Sequence, residues 1–140
     1  MQAFASRPQV AALELNVSCP NVETGLVMGA DPRELSRLLH RVRPLTTKPL
    51  SVKLTLNVSD VGEVARAAQA AGASGLSLIN TVRGMALHPR TRAPWLGGGT
   101  GGLSGPAVRA IALAHVQAVR AAVALPIVAM GGVGERSRRG

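Results

Sequence analysis

The sequence has 140 residues, is 46% hydrophobic and holds a single cysteine, which excludes an internal disulfide framework and any multi-cysteine metal site. One Trp, one Phe and no Tyr leave the core to aliphatic side chains. The net charge of +9 raises a basic nucleic-acid-binding domain as one reading. Single-strand binders also stack bases on aromatic side chains, which are almost missing here. Most arginines fall in predicted helices and loops, so solvated helix faces account for the charge, and no nucleic-acid partner is expected.

MQAFASRPQV carries no basic region followed by an apolar run, and so gives no signal peptide. The longest charge-free apolar stretch, Ala121 to Gly134, is too short to span a bilayer and is broken by Pro126, Gly131 and Gly132. The expectation is a cytoplasmic protein with no membrane association. The Asn-Val-Ser triplets at Asn16 and Asn57 then have no glycosylation meaning.

Residues 12–18 (ALELNVS) read as a strand. Asp31-Pro32-Arg33-Glu34 opens a helix: Asp31 is the N-cap, Pro32 takes the first helical position and Glu34 completes a reciprocal cap. Leu35, Leu38, Leu39 and Val42 follow at helical spacing. Residues 50–55 (LSVKLT) form a second strand, and Asp60 with Glu63 caps a second helix that Gly72 ends. A third strand covers 75–80 (GLSLIN), and a long glycine-rich loop runs from about 81 to 104. Gly105-Pro106 starts a third helix with Ile111, His115, Ala118 and Ala122 in its periodic pattern. A fourth strand, 126–130 (PIVAM), ends at Gly131-Gly132. Residues 135–140 make a basic irregular tail.

Strands alternating with helices imply right-handed crossovers and a parallel sheet. Either an open doubly wound sheet or a (β/α)8 barrel satisfies that order. A whole barrel needs about 250 residues and eight strands, so if the chain belongs to a (β/α)8 TIM barrel, its four consecutive parallel β/α units make about half of one.

Ligands of parallel α/β folds bind at the carboxyl ends of the strands. Asn16, Ser18, Cys19 and Asn21 lie at the first tip. Lys53 and Asn57 lie at the second, Asn80 and Thr81 at the third, and Gly131 and Gly132 at the fourth. Each has a plain alternative: a lone cysteine is often a small buried hydrophobe, and Asn80 could be a turn residue. Lys53 stands between Val52 and Leu54, where an ammonium must either snorkel out or meet an anion. His40, His88 and His115 have no metal-ligand spacing, and no metal is expected. Gly97, Gly99 and Gly102 match G-x-G-x-x-G, but no clean strand precedes them and no acidic residue follows at the required distance. A Rossmann site is rejected. Gly105 and Gly131-Gly132 can still offer backbone N–H groups to a phosphate.

With those residues assembled, the chain resembles the dihydroorotate dehydrogenases. ELNVSCPN (14–21), SVKL (51–54), LINTVRGMA (78–86), TGGLSGPA (100–107) and IVAMGGV (127–133) carry the likeness, in family order. Cysteine at 19 looks like the cytosolic class, and the wording of the third and fourth segments looks like its NAD-linked branch, which works with a separate iron–sulfur/FAD subunit. The resemblance implies that residues 1–134 form the central part of an FMN-binding TIM-barrel domain, missing the family's first three strands and its last. It implies oxidation of dihydroorotate to orotate in de novo pyrimidine biosynthesis, with Cys19 as catalytic base. Asn16, Lys53, Ile79, Gly105, Gly131 and Gly132 would contact FMN; Asn16, Asn21, Asn80 and Thr81 would hold the substrate. A homo-oligomer is among the expectations. Three alternatives stay open: a non-catalytic remnant of this fold, another flavin-dependent pyrimidine dehydrogenase, and the basic nucleic-acid-binding domain.

Overall fold

A computed structural model describes residues 2–18 and 28–134. A short helix, α1 (Gln2–Ala5), precedes strand β1 (Leu13–Asn16). Helix α2 (Pro32–Val42), strand β2 (Leu50–Lys53), helix α3 (Val61–Ala70) and strand β3 (Gly75–Leu78) follow. Two short strands, β4 (Val82–Gly84) and β5 (Gly101–Leu103), lead to helix α4 (Arg109–Ala122) and strand β6 (Ile127–Ala129).

β1, β2, β3 and β6 form one parallel sheet in that spatial order. Strands added in chain order, with no reversal, lack the switch point of a doubly wound sheet. Right-handed crossovers then place every helix on the same face, and α2 packs on α3 and α3 on α4. This is part of a (β/α)8 barrel, as the family resemblance implies, and not the open doubly wound sheet that the element order also allowed. The paired strands are two or three residues shorter than the predicted spans.

Each helix start follows from local chemistry. Asp31 Oδ1 accepts the backbone N–H groups of Arg33 (2.8 Å) and Glu34 (3.4 Å), and Asp60 Oδ1 accepts those of Gly62 (2.8 Å) and Glu63 (3.1 Å), as an N-cap must. Glu34 departs from the expected reciprocal cap and pairs with Arg37, one turn along. The third helix also departs from expectation. Its buried stripe is Val108, Ala112 and Val119, continued by Val123, while Ile111 is 37% exposed. The three valines fit the layer against β3 and α3, so packing, not the larger side chain, chose the face.

The core lies between sheet and helices. Leu50, Val52, Leu76 and Leu78 point toward Leu35 and Leu39 of α2 and Val64, Ala65 and Ala68 of α3. The other face of the sheet carries Glu14, Asn16, Ser51, Lys53 and Ser77, the alternate residues of the same strands. That polar face corresponds to the inside of a barrel.

The predicted loop 81–104 is a β-hairpin arm instead. β4 and β5 pair antiparallel, with Val82 opposite Leu103 and Gly84 opposite Gly101, and Leu87 bridges Pro94 further out. Its glycines conceal the strand pattern. Gly102 is needed there because a Cβ would collide with the Thr81 side chain.

Candidate active site

The carboxyl ends of β1, β2 and β3 meet on the polar face. Asn16 and Lys53 are registered neighbours on adjacent strands, and Lys53 is in turn registered with Ser77. Asn80 Nδ2 donates to Asn16 Oδ1 at 3.2 Å, and the Thr81 N–H donates to Asn80 Oδ1 at 2.7 Å. Asn16 Oδ1 also accepts the Ser18 N–H at 3.2 Å. The side-chain oxygens are thus spent on internal bonds, with amide orientations assigned from the network. The Asn16 NH2 group is left as a donor for a ligand edge.

Lys53 is half-buried in its strand. The ion pairs among the described residues are Arg37–Glu34 and Arg66–Asp60, and Lys53 belongs to neither. A half-buried ammonium without a paired carboxylate is a place where an anionic or electron-rich ligand edge is favoured. The Ser18 Oγ–H donates to the Lys53 carbonyl at 3.2 Å, tying the end of β1 to β2 immediately before Cys19. Cys19 and Asn21, the expected base and a substrate contact, lie outside the described residues, as does the tail at 135–140.

A second cluster lies at the tip of β6. The Ile79 N–H donates to the Met130 carbonyl at 3.0 Å, so Ile79 and the Gly131-Gly132 turn meet. Gly132 has φ +68°, and a Cβ there would stand 2.8 Å from the Gly105 carbonyl oxygen and 2.9 Å from the Arg109 nitrogen. Only glycine allows this approach. The expected backbone contacts Ile79, Gly105, Gly131 and Gly132 therefore converge beside the start of α4. The β3 tip links them to Asn80. A bare backbone cradle next to amides and a lysine fits a flat heterocycle carrying a phosphate.

Asn57, expected at the second strand tip, holds the base of the hairpin, and two residues, Ser77 and Glu14, were not predicted as part of this site. Asn57 Nδ2 donates to the Thr81 carbonyl (3.1 Å), and Asn57 Oδ1 accepts the Arg83 N–H (3.1 Å), clamping the base of the hairpin and so Thr81. Ser77 is fully buried on the polar face, and its Oγ–H donates to Glu14 Oε2 at 2.6 Å. Their only sequence signal is a polar residue at an inward strand position. The G-x-G-x-x-G glycines fall in the hairpin arm rather than at a strand-to-helix turn. A cavity of about 210 Å³ there is lined by Met85, Leu96 and Leu103 with backbone glycines. It carries no ionisable side chain and lies apart from Lys53.

A sequence model of the family described as dihydroorotate dehydrogenase matches residues 1–136. The chain belongs to the dihydroorotate dehydrogenase family. The family is flavin-dependent. Among curated relatives, the dihydroorotate dehydrogenase B (NAD(+)) catalytic subunit of Geobacter sulfurreducens is 50% identical over 127 residues, which is 90% of this chain and 42% of that protein. The protein of the same description from Halalkalibacterium halodurans is 47% identical over 133 residues, covering 94% of this chain and 44% of that one. The chain thus spans less than half the length of the curated relatives it matches. Among solved structures, ligand-free DHODH from Eimeria tenella superimposes with a TM-score of 0.64 at 21% identity, covering 94% of this chain and 43% of that chain. Its ferulenol complex gives 0.63 at 22% identity, covering 89% and 39%. These likenesses carry the fold. No described helix is long and apolar enough to cross a membrane.

Proposed function

We propose that this protein is the FMN-binding catalytic part of a dihydroorotate dehydrogenase, oxidising dihydroorotate to orotate for pyrimidine synthesis in the cytoplasm. The observation that carries the reading is the hydrogen-bonded Asn16–Asn80–Thr81 chain beside Lys53 at the strand tips. Relatives described as NAD(+)-linked catalytic subunits support a separate electron-transfer subunit as partner, of the iron–sulfur/FAD kind. Residues 1–134 would form the cofactor-binding domain segment, and 135–140 an irregular basic tail.

FMN, when bound, accepts the hydride that leaves C6 of the substrate. The chain's residues provide the rest. Cys19 takes the C5 proton as general base, so a hydride and a proton leave together and the C5–C6 bond becomes double. Lys53 would face the electron-rich edge of the bound cofactor, where its ammonium would stabilise negative charge. Asn16, Asn21, Asn80 and Thr81 hold the amide and carboxylate edges of the substrate, Asn16 through the NH2 group that its internal bonds leave free. Ile79, Gly105, Gly131 and Gly132 offer backbone to the cofactor.

Stopped-flow mixing of FMN-loaded protein with dihydroorotate tests the reading. Flavin absorbance should bleach in the parent, and Cys19→Ala should slow bleaching by about a hundredfold or more. Unchanged bleaching in Cys19→Ala would remove the assigned base.

A further inference from the structure

On the inner face of the four-stranded sheet stand two charged strand residues, Glu14 of β1 and Lys53 of β2, diagonal to each other in the register. Glu14 is registered with Ser51, two residues below Lys53, yet its carboxylate does not stay on its own strand. It reaches over β2 to Ser77 of β3, whose Oγ–H donates to Oε2 at 2.6 Å. Side chains from alternate strands share a layer in a closed barrel, and Glu14 and Ser77 obey that rule. Ser77 is the registered neighbour of Lys53, about 4.8 Å away across the ladder. The carboxylate is thereby held on the strand next to Lys53, outside ion-pair distance of its ammonium. A hydroxyl has one proton and two lone pairs; with its proton given to Glu14, Ser77 turns only acceptor capacity toward the lysine. Asn16, Ser51 and Ser77 are the neutral polar neighbours on this face, and the helices pack on the opposite one.

We infer that Glu14 is a positioning residue. Anchored by Ser77, it supplies a fixed counter-charge beneath Lys53, which holds the ammonium at the strand tips and moderates its charge toward the bound ligand. Glu14 stands exposed on this face, and Lys53 is the cation among the strand residues that share it. The inference rests on the proposed flavin site only for its second readout.

The test uses the full chain with Glu14→Gln, which keeps an acceptor for Ser77 and loses the charge, and Ser77→Ala, which keeps the charge and loses its anchor. Acylation of the Lys53 amine by an activated ester, followed by peptide mass spectrometry, needs no cofactor. Glu14→Gln should raise the labelling rate about fivefold, as loss of an exposed, water-screened charge implies, and Ser77→Ala should raise it less. A residue with only a structural role would leave Glu14→Gln at the parent rate. With FMN bound, Glu14→Gln should raise the flavin midpoint potential, and this shift should vanish in a Lys53→Met background. Parent-like labelling in both variants overturns the inference, as does a potential shift that persists without Lys53. If Glu14→Gln does not fold, parent-like labelling in Ser77→Ala alone overturns it. A parent chain that fails to take up FMN counts against the proposed function, while the labelling result still decides the role of Glu14.

Discussion

Asn80 occupies a position where one side chain decides the shape of the site. Its amide links Asn16 to the Thr81 backbone, so Asn80→Ala leaves the Thr81 N–H without its side-chain acceptor and removes one of the two donors to Asn16 Oδ1. The loss should cost about 1–2 kcal/mol of stability, read by urea denaturation, and should weaken substrate binding more than it weakens FMN binding. Asn57→Ala should act differently, because Asn57 clamps the hairpin base through Thr81 and Arg83. Its expected signature is faster backbone hydrogen exchange over residues 81–86 with little change in exchange of the sheet. Much at this scale was legible: Lys53 was marked by its place between two apolar residues, and Asn80 by ending an aliphatic strand. The Glu14–Ser77 bond was not. It joins residues 63 positions apart, and such a pairing exists only once the register of three strands is set.

Helix boundaries were the most legible elements, because their signals are local. Asp31-Pro32 and Asp60 act on N–H groups two and three residues away, and Gly72 ends α3 with φ +89°. Asp60→Ala should therefore destabilise the protein by about 1 kcal/mol in chemical denaturation, with Asp60→Asn recovering most of the loss. The hairpin arm was read as loop because its strands are glycine-rich. Gly101 and Gly102 are strand residues here for tertiary reasons, since the Leu96 and Thr81 side chains occupy the space a Cβ would need. The face of α4 was misjudged for a related reason. Ile111 and His115 share a helical stripe, but the layer between β3 and α3 accepts Ala112 and Val119, and periodicity alone cannot choose between stripes one residue apart.

For the whole molecule, β/α alternation was enough to predict parallel strands, and their chain-order arrangement identifies part of a barrel rather than a doubly wound sheet. β1 and β6 are the edges of the sheet, and Val128 of β6 is 60% exposed on its inner face. Exposed strand edges recruit further strands, so light scattering should show concentration-dependent self-association of this chain, suppressed by a lysine at Val128. The polar face and the glycine turn have a different purpose in this account: both converge where a flavin would lie. Titrating FMN while following its fluorescence tests that most directly. Saturable quenching by the parent chain is expected, weakened about tenfold or more in Lys53→Met, as loss of a charge-assisted bond implies, and abolished in Gly132→Val, which retains a folded circular dichroism spectrum. FMN fluorescence identical to that of the free cofactor at high concentrations of folded parent protein would contradict it.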